Sequence, residues 1–193
     1  MIELISALSV APLDPVELFR REAPLHVDLG CGDGSFLCEL APQLTKKNFL
    51  GIERLRRRVE KARRKSETID NVRILRAEIS HAVRYLLPEN SVVTFYLLFP
   101  DPWPKRRQQR RRIFTREFLD CIAAALQKGG LLRVMTDQLD YFQQIKGLGE
   151  AHPQFEIVDV DDVTLPSTKF ERRFCEKGAP IYRLTLRKVS PVK

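Results

Sequence analysis

The sequence predicts a doubly wound α/β fold with a mostly parallel, seven-stranded sheet and a final antiparallel strand. Short apolar segments rich in β-branched residues alternate with segments of helical periodicity, which is typical of βαβ units. Acidic residues follow several of the apolar segments, where open α/β sheets bind their ligands. The 193 residues, 44% of them hydrophobic, are enough to form the core of one such domain.

The predicted strands are apolar segments bounded by glycine, proline or polar residues, and they lie near 25–29, 48–53, 72–75, 92–99, 131–136, 155–160 and 181–186. The predicted helices carry apolar residues three or four positions apart and lie at about 35–42, 54–66, 79–87, 115–127 and 139–146. No helix is predicted between the last two strands, which we expect to pair antiparallel. We expect residues 1–193 to form a single domain, with a lead-in at 1–24 and a tail at 187–193.

The first predicted strand runs into a glycine-rich turn, Asp28-Leu-Gly-Cys-Gly-Asp-Gly34. Glycine allows a positive φ and a close approach of ligand to backbone, and the helix that follows offers free N–H groups. The glycine spacing differs from that of pyrophosphate-binding turns, which disfavours a nicotinamide oxidoreductase. Asp28 before the turn suits a cationic ligand, such as the amino group of S-adenosylmethionine. Glu53 lies about 20 residues beyond the turn, where a carboxylate can bind two ribose hydroxyls.

A second motif joins a carboxylate to a strongly basic segment. Asp101 lies on a proline-rich turn after the apolar segment 92–99, and residues 105–112 then contain six cations. The formal net charge of +8 favours an acidic partner such as nucleic acid. Another concentration, eight cations and one acid over residues 54–65, is equally compatible with a second contribution to such binding and with a solvated helix face.

Four segments of the chain together resemble a known enzyme family. Residues 28–34 are similar to the first motif of class I S-adenosylmethionine-dependent methyltransferases. Phe99-Pro-Asp-Pro-Trp-Pro-Lys105 with its arginine run, Thr136-Asp137 and Thr168-Lys-Phe-Glu171 resemble, in the same order, the bacterial tRNA (guanine-N7)-methyltransferase family. The resemblance covers roughly residues 25–186. It implies a Rossmann-like enzyme that transfers a methyl group from S-adenosylmethionine to N7 of a guanosine in the tRNA variable loop.

The resemblance and the residues together predict three groups of site residues. The predicted catalytic residue is Asp101, which would orient the guanine and stabilise the positive charge that develops on it. The predicted cofactor-binding residues are Asp28, Gly30, Gly32, Gly34, Glu53, Glu78 and Asp101. The predicted substrate-binding residues are Lys105, Asp137, Thr168, Lys169, Phe170 and Glu171, the last four in a loop between the final two strands. The cations from Lys105 to Arg112 would bind tRNA phosphates, and Trp103 or Phe170 would either stack on the target base or pack the loop.

Two other functions stay open at this point. One is an amino-group methyltransferase acting on adenine N6 or glutamine N5, whose Asp-Pro-Pro-Tyr segment differs from this chain at Trp103 and lacks the arginine run. The other is a catalytically silent RNA-binding subunit, which the presence of Asp28, Glu53 and Asp101 disfavours.

The remaining composition predicts a soluble, cytoplasmic protein without a metal. The four cysteines form no C-x-x-C pair, so we expect reduced thiols and no metal site. The chain has no run of about 18 apolar residues and no visible cleavable signal, so we expect no membrane association. We expect tRNA as the partner and either a monomer or a homodimer.

Overall fold

The structure, a computed structural model, describes residues 11–159 and 165–190. Within these ranges seven strands form one sheet in the order β3-β2-β1-β4-β5-β7-β6. The strands are β1 (Leu25–Leu29), β2 (Asn48–Glu53), β3 (Val72–Arg76), β4 (Val92–Leu98), β5 (Leu126–Thr136), β6 (Phe155–Val158) and β7 (Tyr182–Lys188). Strands β1 to β5 are parallel, and β7 runs antiparallel to both β5 and β6. The predicted fold class, including the antiparallel final pair, is confirmed.

The described ranges contain seven α-helices, the first before β1 and the others between strands. They are α1 (Pro15–Phe19), α2 (Ser35–Leu40), α3 (Arg56–Lys65), α4 (Ile79–His81), α5 (Arg116–Ala125), α6 (Leu139–Glu150) and α7 (Lys169–Glu176). Helix α2 continues into a 3₁₀ turn at Ala41–Gln43, α4 continues into a π-type turn at Ala82–Leu86, and a further 3₁₀ segment covers Arg106–Arg111. None of these helices is long and apolar enough to cross a membrane.

Apolar residues cover both faces of the sheet. Successive β4 residues enter different clusters, because side chains alternate between the faces of a strand: Phe95 packs in one cluster and Tyr96 in the other. The larger cluster includes residues of α5 and α6, and the smaller one includes residues of α2 and α3. The chain leaves β1 for β2 and β3 and then returns to β4 on the other side of β1. A ligand cleft is expected at this reversal, beside the carboxyl ends of β1 and β4.

The structure corrects the prediction that no helix separates the last two strands. Helix α7 lies between them and begins with a capping box, in which Thr168 Oγ1 accepts from the Glu171 N–H at 3.0 Å and Glu171 Oε2 accepts from the Thr168 N–H at 3.2 Å. Residues 168–171 therefore start a helix and do not form a loop. Strand β6 ends at Val158, and residue 160 of the predicted strand lies outside the described residues, as do 1–10 of the lead-in and 191–193 of the tail.

Candidate active site

A cleft of about 1140 Å³ opens at the carboxyl ends of the parallel strands. It brings together acids from four strand ends: Asp28 of β1, Glu53 of β2, Glu78 after β3 and Asp101 after β4. The other predicted site residues that line it are Gly30, Gly32, Thr168, Lys169 and Phe170. Most of the predicted cofactor site and the start of α7 thus face one space. No histidine lines this cleft within the described ranges.

Asp28 lies at the bottom of the cleft and is only 3% exposed. Its burial, and then the nearby negative charge of Glu53, raise the pKa of the Asp28 carboxyl to about 7. An uncompensated carboxylate at this depth is unfavourable, so a cationic group that reached it would stabilise its ionised form. The site therefore favours a ligand with a positive charge near Asp28.

Glu53 is also buried, but it already has polar neighbours. Its Oε1 accepts from the Leu55 N–H at 2.8 Å, and its Oε2 lies 3.8 Å from Nη1 of Arg58. A carboxylate has about four acceptor positions on its two oxygens, so Glu53 retains capacity for further donors. The neighbouring carboxylate Glu78 caps α4 and accepts from the His81 N–H at 3.1 Å.

The glycines of the turn have two different roles. Gly32 has φ +58, and a Cβ placed there would meet no atom within 4 Å, so its backbone conformation is what requires glycine. Gly34 has φ +74, does not line the cleft, and would place a Cβ only 2.9 Å from the Cβ of Ala62 in α3. The structure therefore places Gly34 in the packing of the turn against α3, away from the predicted cofactor contact.

The turn that carries Asp101 is strained at both ends. Phe99 and Trp103 each precede a proline and have φ values of 54° and 42°, which are rare for bulky residues. Such conformations cost on the order of 1–3 kcal/mol each and occur frequently at functional sites. The Phe99 N–H donates to the Met135 carbonyl at 2.8 Å, and the Arg111 guanidinium lies 5.1 Å from the centre of the Trp103 ring. These contacts fix the ends of a turn whose middle residue, Asp101, is exposed in the cleft.

Helix α7 packs on this turn through aromatic side chains. The Phe99 ring lies 6.1 Å from the Phe170 ring and 5.5 Å from the Phe174 ring, centre to centre. Phe170 and Phe174 are four residues apart and so share one side of the helix. Phe170 remains 49% exposed, which leaves part of its ring available in the cleft.

Asp33 in the glycine turn connects α7 to the cofactor side of the cleft. It forms ion pairs with Lys169 of α7 and Lys65 of α3, and it accepts from Ser35 Oγ at 2.8 Å. Partial burial alone would raise the pKa of Asp33, but the Lys169 and Lys65 ammonium groups hold that pKa well below its usual range. Asp33 is not among the predicted site residues, although an acid within a glycine turn is a signal that the sequence shows.

Three predicted substrate residues lie outside the cleft lining. Glu171 is buried in the α7 capping box and pairs with Arg183. Asp137 accepts from Nε2 of Gln138 at 2.7 Å, and Lys105 is exposed just before the 3₁₀ segment. In this structure these side chains are not brought together with Asp28, Glu53 and Asp101.

The basic run, residues 105–112, contains one buried cation and five exposed ones. Arg112 is 5% exposed; its Nε donates to the Pro102 carbonyl and its Nη1 to Gln144 Oε1, both at 2.8 Å. It also pairs with Asp140, and its guanidinium lies over the Tyr141 ring. Arg112 therefore holds the Asp101 turn against α6 and is corrected from a phosphate ligand to a structural residue. The exposed cations of the run are Lys105, Arg106, Arg107, Arg110 and Arg111.

In the described part of the chain, no three His, Cys, Asp or Glu side chains are grouped so as to hold a metal ion. The four cysteines are free thiols. The polar groups of the cleft include carboxylates, cations, hydroxyls, backbone N–H groups and the thiols of Cys31 and Cys121.

Comparisons with solved structures support the fold. The chain superposes on a 16S rRNA methyltransferase, KamB, with a TM-score of 0.63 and 16% identity, over 90% of this chain and 92% of that one. The aminoglycoside resistance methyltransferase NpmB1 gives a TM-score of 0.59 and 17% identity, over 90% and 91% of the two chains. At these identities the likeness concerns the fold alone.

Sequence comparisons identify the family. Residues 22–184 match the family model described as "Putative methyltransferase". A tRNA (guanine-N(7)-)-methyltransferase of Halorhodospira halophila is 37% identical over 178 residues, covering 88% of this chain and 77% of that protein. One of Thermotoga maritima is 34% identical over 183 residues and 92% of this chain, which spans 58% of that protein's length. The chain belongs to the tRNA (guanine-N(7)-)-methyltransferase family.

Proposed function

We propose that this protein transfers a methyl group from S-adenosylmethionine to N7 of a guanosine in the variable loop of tRNA. The observation that carries the proposal is the convergence of Asp28, Glu53 and Asp101 in one cleft beside the exposed cations of the 106–111 segment. The relatives named tRNA (guanine-N(7)-)-methyltransferases support the choice of substrate and of acceptor atom.

The residues of the cleft fit S-adenosylmethionine. Asp28 is a buried carboxyl group with a raised pKa, and the positively charged amino group of the cofactor would stabilise its ionised form and lower that pKa. Glu53 has spare acceptor capacity for ribose hydroxyls, and the open space beside Gly32 lets a ligand approach the backbone. Glu78 lines the next part of the cleft, toward the position expected for the adenine. When bound, the cofactor supplies a methyl group on a positively charged sulfur.

The proposed acceptor explains why the cleft needs no histidine base. Guanine N7 carries a lone pair and no proton, so the protein has only to hold the base in line with the methyl group. Asp101 can accept hydrogen bonds from the guanine N–H edge and can stabilise the positive charge of the methylated base. Its turn is fixed by Arg112 and Phe99, so the carboxylate is positioned before the substrate arrives.

We infer that one of two aromatic rings in the cleft stacks on the extruded base. Trp103 follows Asp101 in the same turn, and Phe170 of α7 lines the same cleft beside Phe99. Single-stranded and loop bases are commonly held on such rings. The exposed cations of the 106–111 segment would hold the phosphates, which supplies affinity without reading the sequence.

The proposal also concerns the domain organisation, cellular location and oligomeric state of the enzyme. We infer that residues 1–193 act as one methyltransferase domain in the cytoplasm, as a monomer or a homodimer. The single sheet over the described residues and the cellular location of the proposed tRNA substrate support this inference.

The test is incubation of unmodified bulk tRNA with methyl-labelled S-adenosylmethionine, followed by nucleoside analysis. We expect label in 7-methylguanosine, and borohydride reduction with aniline cleavage should place it in the variable loop. Label found only in N6-methyladenosine would refute the acceptor assignment. Cofactor binding without any transfer to tRNA would instead indicate a silent RNA-binding subunit.

A further inference from the structure

Helix α3 carries a continuous basic surface on the side of the cleft opposite the 106–111 segment. Residues 54–65 contain eight cations and only one acid. Val59 and Ala62 are buried against the sheet. Arg57, Lys61 and Arg64 follow a spacing of four and then three residues, so they form one stripe on the exposed face of the helix.

Arg63, Arg64 and Lys65 in the last turn suit the helix dipole, but the cations of the first turn do not serve the stability of the helix. Arg56, Arg57 and Arg58 occupy the first turn, where the helix dipole favours acids, and no acid is present there. The N-cap residue, Leu55, supplies no capping side chain. Arg57 and Lys61 are four residues apart, and like charges at this spacing repel. A face selected only for solubility would more commonly mix charges of both signs.

Several of these cations have no hydrogen-bond or ion-pair partner in the described part of the chain. In the ranges 11–159 and 165–190, Arg54, Arg57 and Lys61 form no hydrogen bond or ion pair through their side chains. By contrast, Arg58 faces Glu53, Lys65 pairs with Asp33, and Arg64 Nε donates to the Glu60 carbonyl at 3.4 Å. Partnerless cations concentrated on one surface are suited to an external polyanion.

The position of α3 relates this surface to the proposed active site. The helix follows β2 and the 3₁₀ segment follows the β4 turn, and β1 with its glycine turn lies between these two strands. Arg54, Arg58 and Lys61 line the same cleft as Arg111. The cleft is thus bordered by cations on both sides.

We propose that the exposed face of α3 is a second phosphate-binding surface for the tRNA substrate. This inference rests on the proposed function and adds the side of the cleft that the 106–111 segment does not reach. Contacts with phosphates on both sides hold an RNA arm across the opening, which places a loop nucleotide over Asp101. The outer stripe Arg57, Lys61 and Arg64 contacts the backbone and contributes affinity, and it does not select the base.

The test compares two triple variants of the full chain by tRNA binding over a series of salt concentrations. The first replaces the outer stripe, Arg57→Gln, Lys61→Gln and Arg64→Gln. The matched control removes three exposed cations that lie outside the cleft lining, Lys46→Gln, Lys128→Gln and Lys146→Gln. Both variants lose the same formal charge, so a difference in their tRNA affinity or salt slope depends on where the removed cations lie.

We expect the stripe variant to bind tRNA more weakly, with a log–log salt slope shallower by up to about 0.9 for each duplex phosphate that it no longer neutralises. The control should keep a slope close to that of the wild type. Equal slopes in the two variants would refute the proposal, because net charge alone would then explain the binding. A greater weakening of binding to anionic vesicles than to tRNA would also overturn it, in favour of a membrane surface.

The product analysis separates this proposal from the proposed function. If the wild type forms 7-methylguanosine and the stripe variant keeps the wild-type slope, only the second surface is refuted. If no 7-methylguanosine forms with the wild type, the proposed function itself fails. Circular dichroism of both variants confirms that the helix content is retained before the slopes are compared.

Discussion

Replacing Asp28 by asparagine should make the protein more stable while weakening cofactor binding. The folded protein raises the pKa of this carboxyl from its ordinary value of 3.8 to about 7, mainly through burial and then through Glu53. Because the folded-state pKa of Asp28 lies above its unfolded-state pKa, the stability that the protein has with a protonated Asp28 is fully present below the unfolded-state pKa. This stability is lost as the pH rises through the folded-state pKa.

The size of the effect follows from the shift. The shift is about 3 pKa units, so at about 1.36 kcal/mol per unit, ionisation of Asp28 above the folded pKa costs on the order of 4 kcal/mol of stability. An asparagine side chain is nearly isosteric with aspartate and never ionises, so the Asp28→Asn apoprotein should avoid that cost. For a domain of this length, we expect Tm at about pH 8 to rise by roughly 8–16 °C.

Thermal unfolding of both proteins between about pH 5 and pH 8 measures this difference. The advantage of Asp28→Asn should grow as the pH rises and should level off above the folded pKa. Its S-adenosylmethionine affinity at the same pH should fall by about 1.5–3 kcal/mol, the range for hydrogen bonds to charged groups. A variant that is no more stable than the wild type at the higher pH would refute the assignment of Asp28 as a buried, electrostatically unfavourable carboxylate.

Three further predictions concern other residues of the site. Glu53→Gln keeps an acceptor for the Leu55 N–H but loses its charge, so calorimetry should show cofactor affinity weakened by about 1.5–3 kcal/mol with little change in Tm; unchanged affinity would limit Glu53 to a structural role. Arg112→Ala should lower the free energy of unfolding in urea by about 2–3 kcal/mol, because it leaves the Pro102 carbonyl without its donor. Replacing Arg106, Arg107 and Arg110 together by alanine should instead flatten the salt slope of tRNA binding without loss of stability. The reverse pattern would contradict the assignment of Arg112 as a structural residue and of the exposed arginines as phosphate ligands. Asp101→Asn should reduce single-turnover methylation far more than cofactor binding, and the wild-type rate with saturating cofactor should be nearly flat from about pH 6.5 to 8.5, because N7 needs no deprotonation; a full-rate variant would remove Asp101 from the mechanism.

The acids of the site were predictable because strand ends are local features of the sequence. Asp28, Glu53 and Asp101 each directly follow or end an apolar segment, and a parallel sheet brings such ends to one edge. Their burial was not predictable in the same way. Asp28 is buried at the centre of the sheet, beside β2 and β4, whereas Asp101 is exposed on its turn, and this difference depends on the whole fold.

Other features depended on contacts between distant segments. Nothing in the arginine run distinguishes Arg112 from Arg110, and only the placement of α6 buries it against Gln144 and Asp140. Helix α7 was missed although Thr168 and Glu171 have capping-box spacing, because residues 168–171 were interpreted only as a substrate motif. The ion pair of Lys169 with Asp33 spans 136 positions, beyond the range of any local pattern.

The close approach of Gly34 to Ala62 constrains how this sequence can change during evolution. A Cβ at position 34 would lie 2.9 Å from the Ala62 Cβ and 3.2 Å from its Cα, so neither residue has room to grow while the other stays in place. Substitutions at the two positions should therefore be coupled, although they lie 28 positions apart. Because α3 carries the basic surface and the turn carries proposed cofactor residues, a larger side chain at either position would move the two surfaces relative to each other. Divergent members of the family that enlarge residue 62 should therefore also show a displaced α3.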